Sequence, residues 1–125
     1  MTTISASGAP AAVGPYSHAQ DLGSLVFFSG QVALDAETGQ LVGDDVAAQT
    51  RKVFSNIRAV LAAAGLELAN VAKATVFLQT MDDFGAMNAV YEDEFGSHKP
   101  ARSTVAVAGL PVGARVEIEV IAARP

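Results

Sequence analysis

Apolar positions change their spacing along the chain, and each change marks an element. Leu25–Leu34 (LVFFSGQVAL) is a dense apolar run broken by Ser29-Gly30. It predicts a strand with a bulge, or a place where something approaches the backbone closely. Residues 1–24 are rich in Ala, Ser, Gly and Pro, and Gly8, Pro10, Gly14, Pro15 and Gly23 punctuate them. Mostly loop is expected there, with a short strand at the start. Asp35–Gly43 reads as a turn with a short return strand at Gln40–Val42. From Val46 the spacing lengthens to three or four. Val46, Val53, Phe54, Ile57, Val60, Leu61 and Ala64 then form one buried stripe, with Arg51, Lys52, Ser55 and Arg58 off it. Asp44 or Asp45 offers an N-cap and Gly65 a stop, so a helix over Asp45–Ala64 follows.

Val71–Thr80 (VAKATVFLQT) is β-rich. Val71, Thr75, Phe77 and Gln79 are expected on one side and Ala74, Val76 and Leu78 on the other, both largely covered. A second helix begins at Asp82 or Asp83, buries Phe84, Met87, Val90, Tyr91 and Phe95, and ends near Gly96. Ser97–Ala101 connects it to a final pair of strands, Arg102–Ala108 and Arg115–Ala123, read as a hairpin around GLPVGA. The resulting β-(β)-α-β-α-β-β order predicts one α+β domain over residues 1–125. Its mixed sheet carries two helices on one face.

Composition narrows the function classes. The chain has 125 residues, half of them hydrophobic and 17% charged, with a net charge of −5 and no Cys or Trp. Disulfides, thiolate metal sites and a cysteine nucleophile are excluded. The acidic balance and scattered basic residues argue against nucleic acid as a partner. No apolar run reaches the roughly 20 residues of a membrane span. The start lacks the pattern of a signal peptide. A soluble, cytoplasmic protein is the expectation. So much apolar material in so small a chain also points to assembly.

Candidate chemistry is sparse. His18 and His98 have no metal-ligand spacing, and exposed or hydrogen-bonded histidines are expected. No phosphate-binding glycine motif is present. Ser29 has no evident His and Asp partners. Tyr16 lies in a turn-prone loop and reads first as a packing anchor. Asn88 sits mid-helix, where Asn is a poor helix former, so it either caps something locally or holds a neighbouring loop. In the final hairpin, Val116, Ile118, Val120 and Ala122 would pack on the helices, with Glu117 and Glu119 on the opposite face. Arg102 and Thr104 are expected to share that polar face. It is either the wet side of an antiparallel sheet, with weak Arg–Glu pairs, or the wall of a pocket. In a pocket, Arg102 would bind a carboxylate and Glu117 would activate a water.

Taken together, GPYS, FFSGQ, NAVYEDEF, PARSTVAV and the ending LP…VEIEVIA resemble the RidA/YjgF/UK114 family from about Gly14 onward. The resemblance implies a chorismate-mutase-like α+β fold and a homotrimer with a central barrel and sites between subunits. It also implies hydrolysis of reactive 2-imino or 2-enamino acids, such as 2-iminopropanoate and 2-iminobutanoate, to 2-oxo acids and ammonia. No cofactor or metal is implied. By the same resemblance Arg102 would clamp the substrate carboxylate and Glu117 would position the attacking water. Tyr16, Ser29, Gly30 and Asn88 would line or support the pocket. Thr104 stands where several relatives have Cys. The connection before PARS is about three residues shorter than in many such deaminases, with consequences for substrate size. A metabolite-binding trimer without catalysis and an endoribonuclease or translation inhibitor are the alternatives. The acidic balance counts against the second.

Overall fold

A computed structural model describes residues Met1–Pro125. Its elements in chain order are β1 (Thr2–Ile4), β2 (Ala19–Asp21), β3 (Leu25–Phe28), α1 (Val46–Ala63), β4 (Val71–Leu78), α2 (Phe84–Phe95), β5 (Ala101–Ala106) and β6 (Val116–Ala123). They form an α+β fold in which one six-stranded sheet has the order β1-β2-β3-β6-β4-β5. Only the β4–β5 pairing is parallel, so the sheet is mixed as expected. No helix is long and apolar enough to cross a membrane.

The helices follow their apolar stripes. Asp45 caps α1 by accepting from the Ala48 amide at 2.8 Å, a bond typically worth about 1 kcal/mol. Gly65 ends the helix at φ 73°, where a side chain would be strained. Every residue of the expected α1 stripe is buried. Helix α2 buries Met87, Val90, Tyr91 and Phe95. Phe54 of α1 meets the rings of Tyr91 and Phe95 edge-on at 5.8 and 5.3 Å. Both helices and the inner sheet residues Val26, Ala74, Val76, Leu78, Val116, Ile118 and Val120 belong to one core.

Four expectations need correction. Strands β5 and β6 are not a hairpin: β4 lies between them, parallel to β5 and antiparallel to β6. Residues 1–24 contain a second strand, β2, paired with both β1 and β3. A register shift between Val71 and Lys73 turns Val71 onto the core face beside Ala74 rather than opposite it, and the other side of β4 is only partly covered. The second helix is opened by Thr80, which accepts from the Asp82 amide at 3.2 Å, whereas Asp83 makes no side-chain cap bond. Instead Asp83 accepts the fork of Arg115 at 3.0 and 3.2 Å, tying the start of α2 to the start of β6.

Candidate functional site

Residues directly opposed across a sheet point to the same face. Ala74 opposes both Arg102 and Val120, and Val76 opposes both Thr104 and Ile118. Arg102 and Thr104 therefore lie on the helix-covered face. Phe77 opposes Val105 and Glu117, and Thr75 opposes Ser103 and Glu119. The two glutamates therefore lie on the open face. The expectation that Arg102 and Thr104 share a face with Glu117 and Glu119 is overturned. It followed from the hairpin register, and the intervening β4 reverses the relation.

The candidate residues accordingly fall into two groups. In the first, Arg102 at the sheet edge reaches across to α2. Its Nη1 donates to Asn88 Oδ1 at 2.6 Å. Its guanidinium carbon lies 4.6 Å from the Tyr91 ring centre and 5.6 Å from that of Phe84. Asn88 thus neither caps locally nor holds a loop, but anchors a strand arginine. Of the five arginines, Arg51, Arg58, Arg115 and Arg124 pair with carboxylates, and Arg102 does not. Neutral partners fix its direction while leaving its charge uncompensated. A cavity of about 390 Å³ opens beside it, with Tyr91, Glu92, His98 and Lys99 in its wall. Burial pushes the Tyr91 phenol above its ordinary value, against the opposing charge of Arg102. Thr104 lines neither main cavity, and its buried Oγ1 has no hydrogen-bond partner.

In the second group, Tyr16, Ser29, Gly30 and Glu117 line a cavity of about 440 Å³ on the other side of the sheet. Strand β3 stops at Phe28, and pairing with β6 resumes where Gln31 and Ile118 exchange amide–carbonyl bonds of 2.9 and 3.1 Å. Ser29-Gly30 is the expected interruption, and the Glu117 carboxyl fills the space beside it. A Cβ at Gly30 would collide with Oε2 of Glu117 and stand 2.9 Å from its Cδ. Ser29 is tied down, with Oγ donating to Ser17 O at 2.6 Å and its amide to His18 O at 3.0 Å. His18 is buried, accepting from the Ala6 amide at Nδ1 and donating from Nε2 to Pro10 O at 2.7 Å. The Glu117 carboxyl has no hydrogen bond or ion pair within the chain. Burial holds its carboxyl above the ordinary range, and the negative Glu119 beside it adds to this.

Sequence reasoning passed over Tyr91 and Phe84 as site residues, because their helical spacing is satisfied by the core they also serve. No group of three or more His, Asp or Glu is assembled in a way that would hold a metal. A family model described as Endoribonuclease L-PSP matches residues 6–124. A 2-iminobutanoate/2-iminopropanoate deaminase of Salmonella typhimurium is 47% identical over 125 residues, spanning 98% of this chain and 97% of the relative. The solved structure of the YjgF gene product of Escherichia coli superposes with a TM-score of 0.95 at 44% identity, covering 100% of each chain. That of Escherichia coli TdcF with bound serine does so with a TM-score of 0.95 at 41% identity, again over 100% of each chain.

Proposed function

The chain belongs to the RidA/YjgF family, and from that premise we propose that it hydrolyses small 2-imino acids to 2-oxo acids and ammonia. The observation that carries this reading is the unpaired Arg102, aimed by Asn88 and two aromatic rings yet matched by no carboxylate of its own. Such a guanidinium is prepared for an anionic ligand, and a planar carboxylate fits its fork.

One chain carries Arg102 and Glu117 on opposite faces of its sheet, so it does not bring them together. A second copy does, in this reading. The open face bears Leu25, Phe27 and Val105, all well exposed, alongside Phe77 and Ile121. Three copies packed with these faces inward form a homotrimer with a central barrel. Each interface then sets the Arg102 edge of one copy against the Glu117 cavity of the next.

In that cleft Arg102 holds the substrate carboxylate through donors that Asn88 leaves free, which fixes the position of C2. Glu117 accepts a proton from a water as its oxygen bonds to C2 and the imine π electrons move to nitrogen. The proton passes to the nitrogen of the tetrahedral carbinolamine, whose C–N bond breaks. As it breaks, the hydroxyl proton is passed to the departing nitrogen, so that ammonia leaves and the 2-oxo acid forms. A carboxyl held above its ordinary range is a better proton carrier near neutrality than a fully solvated one. Tyr16, Ser29 and Gly30 shape the wall around the water. No cofactor enters these steps.

The test generates the alanine-derived imine with an amino-acid oxidase and follows loss of its semicarbazide adduct. Wild type is expected to remove the imine. Arg102→Ala is expected to lose about 10²–10³ in kcat/KM, the scale of a charged clamp worth 3–4 kcal/mol, while keeping its native mass. Equal rates for the two proteins overturn the clamp, and no removal by wild type overturns the deaminase. RNA cleavage is the weaker reading, since the net charge is −5 and four of the five arginines are tied to carboxylates.

A further inference from the structure

The turn between β5 and β6 holds the backbone outlier of the chain. Val112 sits at φ 52°, ψ 24°, and is the only non-glycine residue at positive φ. Gly113 follows at φ 70°. Two successive left-handed residues make a turn suited to Asn-Gly, and a β-branched side chain is strained there. Nothing within the chain offsets the strain, because Val112 is 65% exposed. Across from it Val13 is 85% exposed. Both valines line the cavity that holds Glu117, whose wall continues through Tyr16, Val32 and Leu34. That wall is largely aliphatic, and its charged groups are the two carboxylates of Glu117 and Glu119. It repels an anionic side chain and gains by covering a hydrocarbon one. Backbone strain retained beside a reactive group points to a use for the side chain that bears it.

We propose that Val112 and Val13 form the subsite for the substrate's side chain, so that imines with a branched aliphatic side chain are preferred over the methyl-bearing imine of alanine. This rests on the deaminase reading above. A methyl group leaves both valines wet, whereas an isobutyl group covers them. With each buried methylene worth about a fourfold gain when fully removed from water, partial cover predicts a preference of about tenfold.

The experiment compares kcat/KM for the leucine-derived and alanine-derived imines, both made by an amino-acid oxidase and read as semicarbazide adducts. Val112→Asn suits the left-handed turn and removes the hydrocarbon. It is expected to raise Tm and to lower the leucine-to-alanine ratio about fivefold. Val13→Ser is expected to lower the same ratio independently. A raised Tm with the ratio unchanged in both variants overturns the subsite and leaves the deaminase standing. A change of native mass in Val112→Asn overturns it too, because a second copy then covers the turn. Removal of neither imine by wild type overturns the deaminase reading, and the subsite with it.

Discussion

The surroundings of Arg102 and Glu117 differ in kind. Arg102 is gripped by a side-chain amide and two aromatic rings from a single helix. Glu117 is gripped by nothing: it is placed by the strand beneath it and by the absence of a side chain at Gly30. An arginine is charged at any working pH, so the chain need only aim it. A carboxylate's proton affinity depends on its surroundings, so the chain leaves it without partners and half-buried, and its affinity rises. One group is prepared by contacts and the other by withholding them.

The largest break in that contrast is Glu117→Gln, expected to cost about 10²–10⁴ in kcat with the fold intact. Arg102 would still bind the 2-oxo acid product, so calorimetry with pyruvate separates loss of turnover from loss of binding. Mixing this variant with Arg102→Ala by unfolding and refolding together sharpens the point. If the two groups meet between copies, random assembly restores intact pairs at about a quarter of the interfaces. Activity returning toward that fraction from two inactive parents is expected, and no return overturns a site shared between copies.

Gly30→Ala attacks the withheld contact. The added methyl collides with the Glu117 carboxyl, and an activity loss of about tenfold is expected with a smaller fall in Tm. An unaltered rate shows the carboxyl free to move aside. The smallest effect belongs to Glu119. Its charge helps raise the Glu117 proton affinity, so Glu119→Gln is expected to move the acid limb of the kcat/KM profile to lower pH. A carboxyl whose folded pKa is raised stabilises the fold below its unfolded pKa, and that contribution is lost as pH rises through the folded value. Glu117→Gln should therefore flatten the stability profile above the ordinary carboxylate range, as thermal melts against pH would show.

Much of this was legible in the sequence where periodicity had one solution. The α1 stripe, its Asp45 cap and its Gly65 stop are local signals. Ser29-Gly30 was readable as a close approach, though not what approached. The strand order was not legible. A nine-residue link from Val107 to Arg115 suits a hairpin as well as a step across β4, and alternation does not distinguish them. The same alternation placed Arg102 on the wrong face, while its residue type still marked it as a candidate. Strand β2 was hidden because three residues, Ala19–Asp21, carry no period. The shift at Val71 flips a face without any glycine to announce it.

The strand order also bears on how the fold is reached. Strand β6 follows every other element in the chain yet lies between β3 and β4. Until it inserts, β1–β3 and β4–β5 are separate ribbons, each with an unpaired inner edge. Such edges are where chains join wrongly during synthesis. The Asp83–Arg115 fork and the Gln49 side chain, which accepts from the Arg115 amide at 2.9 Å, stand at the start of β6. They stand where the final segment enters the sheet, and slowed refolding without lost equilibrium structure is the expected trace of their removal.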